Sequence, residues 1–135
     1  MKRYILLWLV TVPVFFLIDL AWLGVVARDF YRSEMGALMA DPIVWWAAIL
    51  FYLLSIAGII LFAVAPAIDA GRWTRALVLG AAFGFFTYMT YDLTNLATLQ
   101  GWSVTLVVVD IAWGTVLCGT VATVSYLLGT RVLRS

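Results

Sequence analysis

The 135-residue sequence contains no histidine and a single cysteine, Cys118. An internal disulfide and a metal site built from Cys and His ligands are therefore both excluded. Charge is also scarce: 11% of the residues are charged and the net charge is +1, so nothing indicates a polyanionic partner. Apolar residues make up 66% of the chain, whereas a soluble domain has about half. This composition excludes a soluble enzyme, a nucleic-acid binder and a disordered chain, and it predicts a small integral membrane protein.

Four long apolar runs dominate the sequence, and each is long enough to cross a hydrocarbon core of about 30 Å as a helix. They cover residues 4–26, 43–65, 76–97 and 104–128. Asp41-Pro42 predicts the start of the second helix, Pro66 predicts its end, and Ser103 is expected to cap the fourth. The predicted fold is therefore all-α: a single four-helix transmembrane bundle over residues 1–135.

The lysine and arginine residues predict the orientation of this bundle. Basic pairs at the N-terminus, at Arg72 and Arg75 and near the C-terminus fall on one side, whereas acidic residues dilute Arg28 and Arg32 on the other. The positive-inside rule then places both termini in the cytoplasm. The first run is expected to be a retained helix, since it is longer than a signal-peptide core of about 7–15 residues and contains an acidic residue.

The loop at residues 28–41 and the turn at residues 100–102 then face outward. Tyr31, Glu34 and Asp41 in this loop are expected to form a solvated face, with an entrance or a lid as the alternative. Aromatic residues near the helix ends predict an interfacial belt. They are Tyr4, Trp45, Trp46, Trp73 and Trp102.

Three of the seven acidic residues lie inside predicted spans: Asp19, Asp92 and Asp110. An ionisable residue costs roughly 2.5–3.5 kcal/mol in hydrocarbon and by default marks a functional site. At a rise of about 1.5 Å per residue, all three lie about 8–10 Å below the outer boundary. Three carboxylates at one level cannot all remain ionised without a partner. No lysine or arginine lies within the spans, and Arg28 is the nearest cation in the sequence.

Helical spacing gives these acids aromatic and polar companions. Asp19-Leu20-Ala21-Trp22 recurs as Asp110-Ile111-Ala112-Trp113, and each copy pairs an acid with a tryptophan one turn further along. The sequence therefore predicts an outward-opening acidic–aromatic pocket. Its centre is Asp19, Asp92 and Asp110, which are also the candidate catalytic residues and the ligands of any metal. The other expected ligand-binding residues are Trp22, Tyr88, Asn95 and Trp113.

Three kinds of function fit this pocket. The first is binding or translocation of a proton, a cation or a small cationic or aromatic solute. The second is a membrane-embedded enzyme that acts on a lipid-like substrate at the outer leaflet, through Asp acid–base chemistry or a divalent metal held by the acids and Asn95. The third is a non-catalytic assembly subunit, in which the acids serve only as hydrogen-bonding contacts between helices. A polar path to both sides of the membrane would favour translocation. A blind pocket with a lateral or outward mouth would favour the enzyme, and a closed, tightly packed cluster would favour the assembly subunit.

Small residues on the third helix predict a close helix–helix contact. Ala76, Gly80 and Gly84 recur every four residues, as in small-xxx-small motifs. The ridge is expected to pack within the chain or between copies, where Gly80 and Gly84 would support a homo-oligomer. The lipid bilayer is an expected partner, nucleic acid is not, and no cofactor is assigned.

Three stretches of the sequence together resemble a known family. They are Tyr88-Met89-Thr90-Tyr91-Asp92-Leu93-Thr94-Asn95-Leu96-Ala97-Thr98 followed by Trp102, Asp110-Ile111-Ala112-Trp113-Gly114, and Asp19-Leu20-Ala21-Trp22-Leu23-Gly24 followed by Tyr31 and Gly36. Over essentially its whole length, the chain resembles a bacterial membrane protein family known as domain of unknown function 2177. The resemblance implies a small multi-pass protein of the bacterial inner membrane and implies no particular reaction.

Overall fold

The computed structural model describes residues 1–27, 29–40 and 42–134, so Arg28 and Asp41 lie outside the described residues. The described part of the chain contains helices and no strand. The six α-helices are α1 (Lys2–Ala21), α2 (Phe30–Met35), α3 (Trp45–Ile59), α4 (Ala65–Ala70), α5 (Trp73–Thr98) and α6 (Val104–Arg134). A π-helical turn, Trp22–Val26, extends α1, and a second, Ile60–Val64, joins α3 to α4.

These elements form four helices that are long and apolar enough to cross a membrane, which confirms the predicted all-α fold. The first span is Lys2–Val26, the second is Trp45–Ala70, the third is Trp73–Thr98 and the fourth is Val104–Arg134. We call the end of the bundle that carries residues 29–40, 42–44 and 99–103 the loop end.

The second span differs from the prediction at both of its ends. It begins at Trp45, so Pro42 precedes the helix rather than occupying its first turn. It also continues past Pro66, which lies in the first turn of α4 just after the π turn. Because the span continues through Pro66, this proline removes one backbone N–H from the helix, and the π turn directly before it is a local change of hydrogen bonding that accommodates the break. The span ends at Gly71, whose φ of +67° is the left-handed conformation common after a helix.

The third and fourth spans pack in close contact through the predicted small-residue ridge. A Cβ atom on Gly80 would lie 2.6 Å from the carbonyl oxygen of Cys118, and one on Gly84 would collide with the carbonyl oxygen of Gly114. Gly80 and Gly84 are therefore used for packing inside the chain.

The second span packs against the third mainly through the Ile60–Val64 turn and α4, not through the part of α3 nearest the loop end. Phe62 and Phe83 stack at this contact with ring centroids 6.2 Å apart, and Gly58 makes room for the Phe83 ring. The two spans therefore meet from the middle of the bundle to the end opposite the loop end, and they leave a gap towards the loop end.

The short helix α2 folds back over the loop end. Phe30, Tyr31 and Met35 pack on a buried cluster of Trp102, Leu106 and Val107. The Ser103 hydroxyl donates to Glu34 and accepts from the Leu106 amide at 3.1 Å. The predicted cap at Ser103 is confirmed. The expectation of a solvated face is wrong for Tyr31 and Glu34, because the docked helix turns both side chains towards the bundle.

Candidate functional site

A cavity of about 210 Å³ lies at the loop end, between the helices and beneath α2. The three intramembrane acids line it, and all are buried: Asp92 completely, Asp19 at 6% exposure and Asp110 at 8%. Trp22, Tyr88 and Trp113 line the same cavity. The spans thus bring together six of the seven residues that the sequence assigned to the site.

Asn95 is the seventh residue, and it does not line the cavity. It lies beside Tyr91, one turn closer to the loop end than Asp92. Tyr88, Tyr91 and Asp92 are the third-span residues that line the cavity.

Asp19 has two hydrogen-bond donors from different helices. The Tyr52 hydroxyl donates to Oδ2 at 2.9 Å, and Nε1 of Trp113 donates to Oδ1 at 3.3 Å. These donors come from the second and fourth spans, so Asp19 links three helices. This is the arrangement expected of a polar contact that holds helices together.

Among the described residues, one hydrogen-bond donor reaches Asp110, and it comes from α2. The Tyr31 hydroxyl donates to Oδ1 at 2.9 Å and itself accepts from Nε1 of Trp22 at 3.1 Å. Burial and the nearby negative charge of Asp110 raise the pKa of Tyr31 well above its ordinary value. Tyr31 therefore stays protonated at neutral pH and remains a donor to Asp110.

Asp92 differs from the other two acids. No hydrogen-bond donor among the described residues reaches either of its carboxyl oxygens, although both are buried. The carboxyl group of Asp110 lines the same cavity and interacts electrostatically with that of Asp92. Two ionised carboxylates that share a buried site repel each other unless a proton or a cation lies between them. We call Asp92 and Asp110 the acid pair.

No basic side chain is found among the described residues that line the cavity. The described part of the chain also contains no group of three or more acidic, His or Cys side chains arranged to hold a metal ion. The three acids thus share a cavity without forming a metal cage. The rest of the wall is largely aromatic, with Trp22 and Trp113 stacked at its centre.

Sequence reasoning missed several residues of this wall. Tyr52 lies on the second span, which has no acid near the loop end. It follows Trp45 by seven residues, so its depth matches that of the three acids on the other helices. Trp102 was predicted to lie in the interfacial belt, but it is only 8% exposed and lines the cavity. Its indole N–H has no acceptor among the described residues. The helix α2, which is too short to be recognised by hydropathy, buries it.

A second, apolar groove of about 480 Å³ adjoins the cavity. It lies in the gap between the second and third spans, where Phe51 faces Thr87 and Tyr91. Tyr88 and Asp110 belong to both the groove and the cavity, so the two spaces are adjacent at the acid pair.

The sequence pattern of the family described as predicted membrane protein, DUF2177, matches residues 4–127. The chain therefore belongs to this family and is a multi-pass membrane protein. No curated protein and no solved structure matches it.

Proposed function

We propose that this member of the DUF2177 family binds a small organic cation, an ammonium group with N–H donors, in the acidic–aromatic cavity. The observation that carries the proposal is Asp92, which is completely buried and has no hydrogen-bond donor among the described residues. A buried carboxylate without a partner costs several kcal/mol in free energy. An ammonium group between Asp92 and Asp110 would supply both the missing charge and the missing donors.

The purely structural alternative explains Asp19 better than Asp92. Asp19 accepts two hydrogen bonds that link three helices. A closed polar contact would bond all of its members, whereas Asp92 faces a cavity with both oxygens free of donors. This contrast supports a binding site in which Asp19 holds helices together and Asp92 contacts the ligand.

The aromatic wall supports an organic cation. Tryptophan and tyrosine rings attract a cation over their faces, by about 2 kcal/mol or more when the pair is desolvated. Trp22, Tyr88 and Trp113 provide such rings around the acid pair. The volume of 210 Å³ is below the roughly 300–1,000 Å³ of a pocket for a drug-sized ligand, so the cavity suits a group of a few heavy atoms.

The same proposal places the protein in the bacterial inner membrane, with both termini in the cytoplasm and the cavity opening outward. Beyond the cavity, the middle of the bundle is filled by buried apolar side chains that include Phe15, Leu117 and Val121. This filling supports ligand binding from the loop end rather than passage through a continuous pore.

The test is a titration of the purified, detergent-solubilised protein with methylammonium, followed by tryptophan fluorescence. Wild type is expected to give a saturable change, and Asp92→Asn is expected to bind at least roughly tenfold more weakly. Asp29→Asn is the matched control, since it removes an exposed carboxylate at the same end that does not line the cavity. The proposal fails if wild type shows no saturable response, or if Asp92→Asn and Asp29→Asn bind equally well.

A further inference from the structure

The groove beside the cavity has a mainly apolar wall, which a purely hydrophilic ligand would not contact favourably. Its walls are Phe51 of the second span and Thr87, Tyr88 and Tyr91 of the third, and Asp110 is the one acidic residue among the described residues that line it. Phe51, Thr87 and Tyr91 are exposed on the outer surface of the helices. In a membrane, this surface faces the hydrocarbon chains of the lipids.

The groove exists because of the way the second span packs. Its contacts with the third span are concentrated at Ile60–Val64 and α4, so α3 stands apart from α5 near the loop end. The opening between them leads from the lipid-facing surface to Tyr88 and Asp110, which also line the acid cavity. A molecule dissolved in the bilayer can thus reach the acid pair sideways, beneath α2.

We infer that the ligand is a membrane-dissolved amphiphile with a cationic amine head group. The amine occupies the cavity between Asp92 and Asp110, and the hydrocarbon chain lies in the groove between the second and third spans. This inference rests on the proposed function, because it takes the cation site as given. It adds the chemical class of the ligand and its lateral route of entry.

Charge and volume both favour this occupant. A neutral lipid would leave Asp92 without a partner, and a hydrophilic cation would leave an apolar groove of about 480 Å³ without an occupant. A chain that moves from lipid into the groove leaves one apolar environment for another, so the groove would hold it through close van der Waals packing. An alkyl chain in the groove would therefore add affinity beyond that of the amine alone.

The experiment compares two variants of the full chain, Thr87→Trp and Thr90→Trp, in the same non-ionic detergent. Thr87 lines the groove, whereas Thr90 lies on the same exposed helix and does not. The hydroxyl groups of both bond to carbonyl oxygens of their own helix, Thr87 to Phe83 at 2.8 Å and Thr90 to Phe86 at 2.6 Å. Both substitutions therefore remove the same kind of hydrogen bond and add the same side chain. Only in Thr87→Trp does the added indole fill the groove.

Calorimetric titrations use methylammonium and dodecylammonium as probes. Thr87→Trp is expected to bind dodecylammonium roughly tenfold or more weakly than Thr90→Trp does, while the two bind methylammonium equally. Because the micelles are the same, partitioning of the long amine cancels from the comparison. Dodecanol, which has the chain without the charge, is expected to bind neither variant measurably.

The outcomes separate this inference from the proposed function. Equal dodecylammonium affinities in the two variants would overturn the groove as the chain site and leave the cation site standing. Binding of dodecanol as tight as that of dodecylammonium would overturn the cationic head group. Failure of wild type to bind either amine would overturn the proposed function, and this inference with it.

Discussion

Trp22 and Trp113 stack face to face, with ring centroids 4.3 Å apart and planes 9° from parallel. They belong to the two Asp-x-x-Trp repeats, and the indole N–H of each tryptophan is hydrogen-bonded, directly or through one hydroxyl group, to the acid of the other repeat. Trp113 donates directly to Asp19, and Trp22 reaches Asp110 through the hydroxyl of Tyr31. Two hydrogen-bonded connections, one on each side of the stacked indoles, thus join the first span to the fourth.

We expect Trp113→Phe to destabilise the protein by about 1–2 kcal/mol, because Asp19 loses one of its two donors while an aromatic ring remains to stack. Unfolding by SDS titration, followed by circular dichroism, measures the change. Trp73→Phe is the control, since Trp73 is an exposed residue at the opposite end of the bundle. A loss of stability in Trp113→Phe no larger than in the control would show that the bond to Asp19 contributes nothing.

The helices and the depth of the acids could be predicted from the sequence. Long apolar runs specify membrane spans almost directly, and a constant rise per residue turns position into depth. One cavity is therefore lined by all three acids, Asp19, Asp92 and Asp110, as their matched spacing from the helix ends predicted. The repeat also indicated that Trp22 and Trp113 would accompany the acids.

Hydropathy and helical spacing could not give the hydrogen-bond partners. Tyr52 reaches Asp19 from another helix, and the spacing of residues along one helix does not predict a contact between two helices. Asn95 shows the limit of spacing along one helix: it lies three residues after Asp92 and still does not line the cavity. Trp102 is buried only because α2 folds over it.

Tyr31 gives the site a measurable dependence on high pH. Burial and the charge of Asp110 raise its pKa, so the folded protein disfavours the tyrosinate. The stability that this hydroxyl contributes is complete below the unfolded pKa of about 10 and is lost as the pH rises from there towards the folded pKa. Wild type is therefore expected to lose stability above pH 10 more steeply than Tyr31→Phe.

Ultraviolet absorbance at high pH checks this directly. The difference between folded wild type and folded Tyr31→Phe is expected to show no tyrosinate signal at about pH 10–11, where a free tyrosine is half ionised or more. A tyrosinate signal that rises with a midpoint near pH 10 would show that Tyr31 is open to water and not bonded to Asp110.

The packing of the third span on the fourth depends on glycine at two positions. We expect Gly84→Ala to cost at least about 2 kcal/mol, because its Cβ atom would collide with the backbone carbonyl of Gly114 and the helices would have to separate. Gly24→Ala is the matched control, since no atom lies within 4 Å of its added Cβ. SDS-titration unfolding of both variants measures the difference, and equal stabilities would contradict the close packing.

The Ser103 hydroxyl couples the start of the fourth span to the cover of the cavity. It accepts from the Leu106 amide and donates to Glu34 on α2, so Ser103→Ala removes a helix cap and a tether together. The loss of the cap costs about 1 kcal/mol, and α2 is expected to open more often. Hydrogen exchange of the Phe30–Met35 amides should then be roughly fivefold faster or more, and ammonium ligands should enter and leave the cavity faster.

Ser33→Ala, an exposed change on the same helix, should leave the exchange at the wild-type rate. If Ser103→Ala also exchanges at that rate, the packing of Phe30 and Met35 alone holds α2 over the acids.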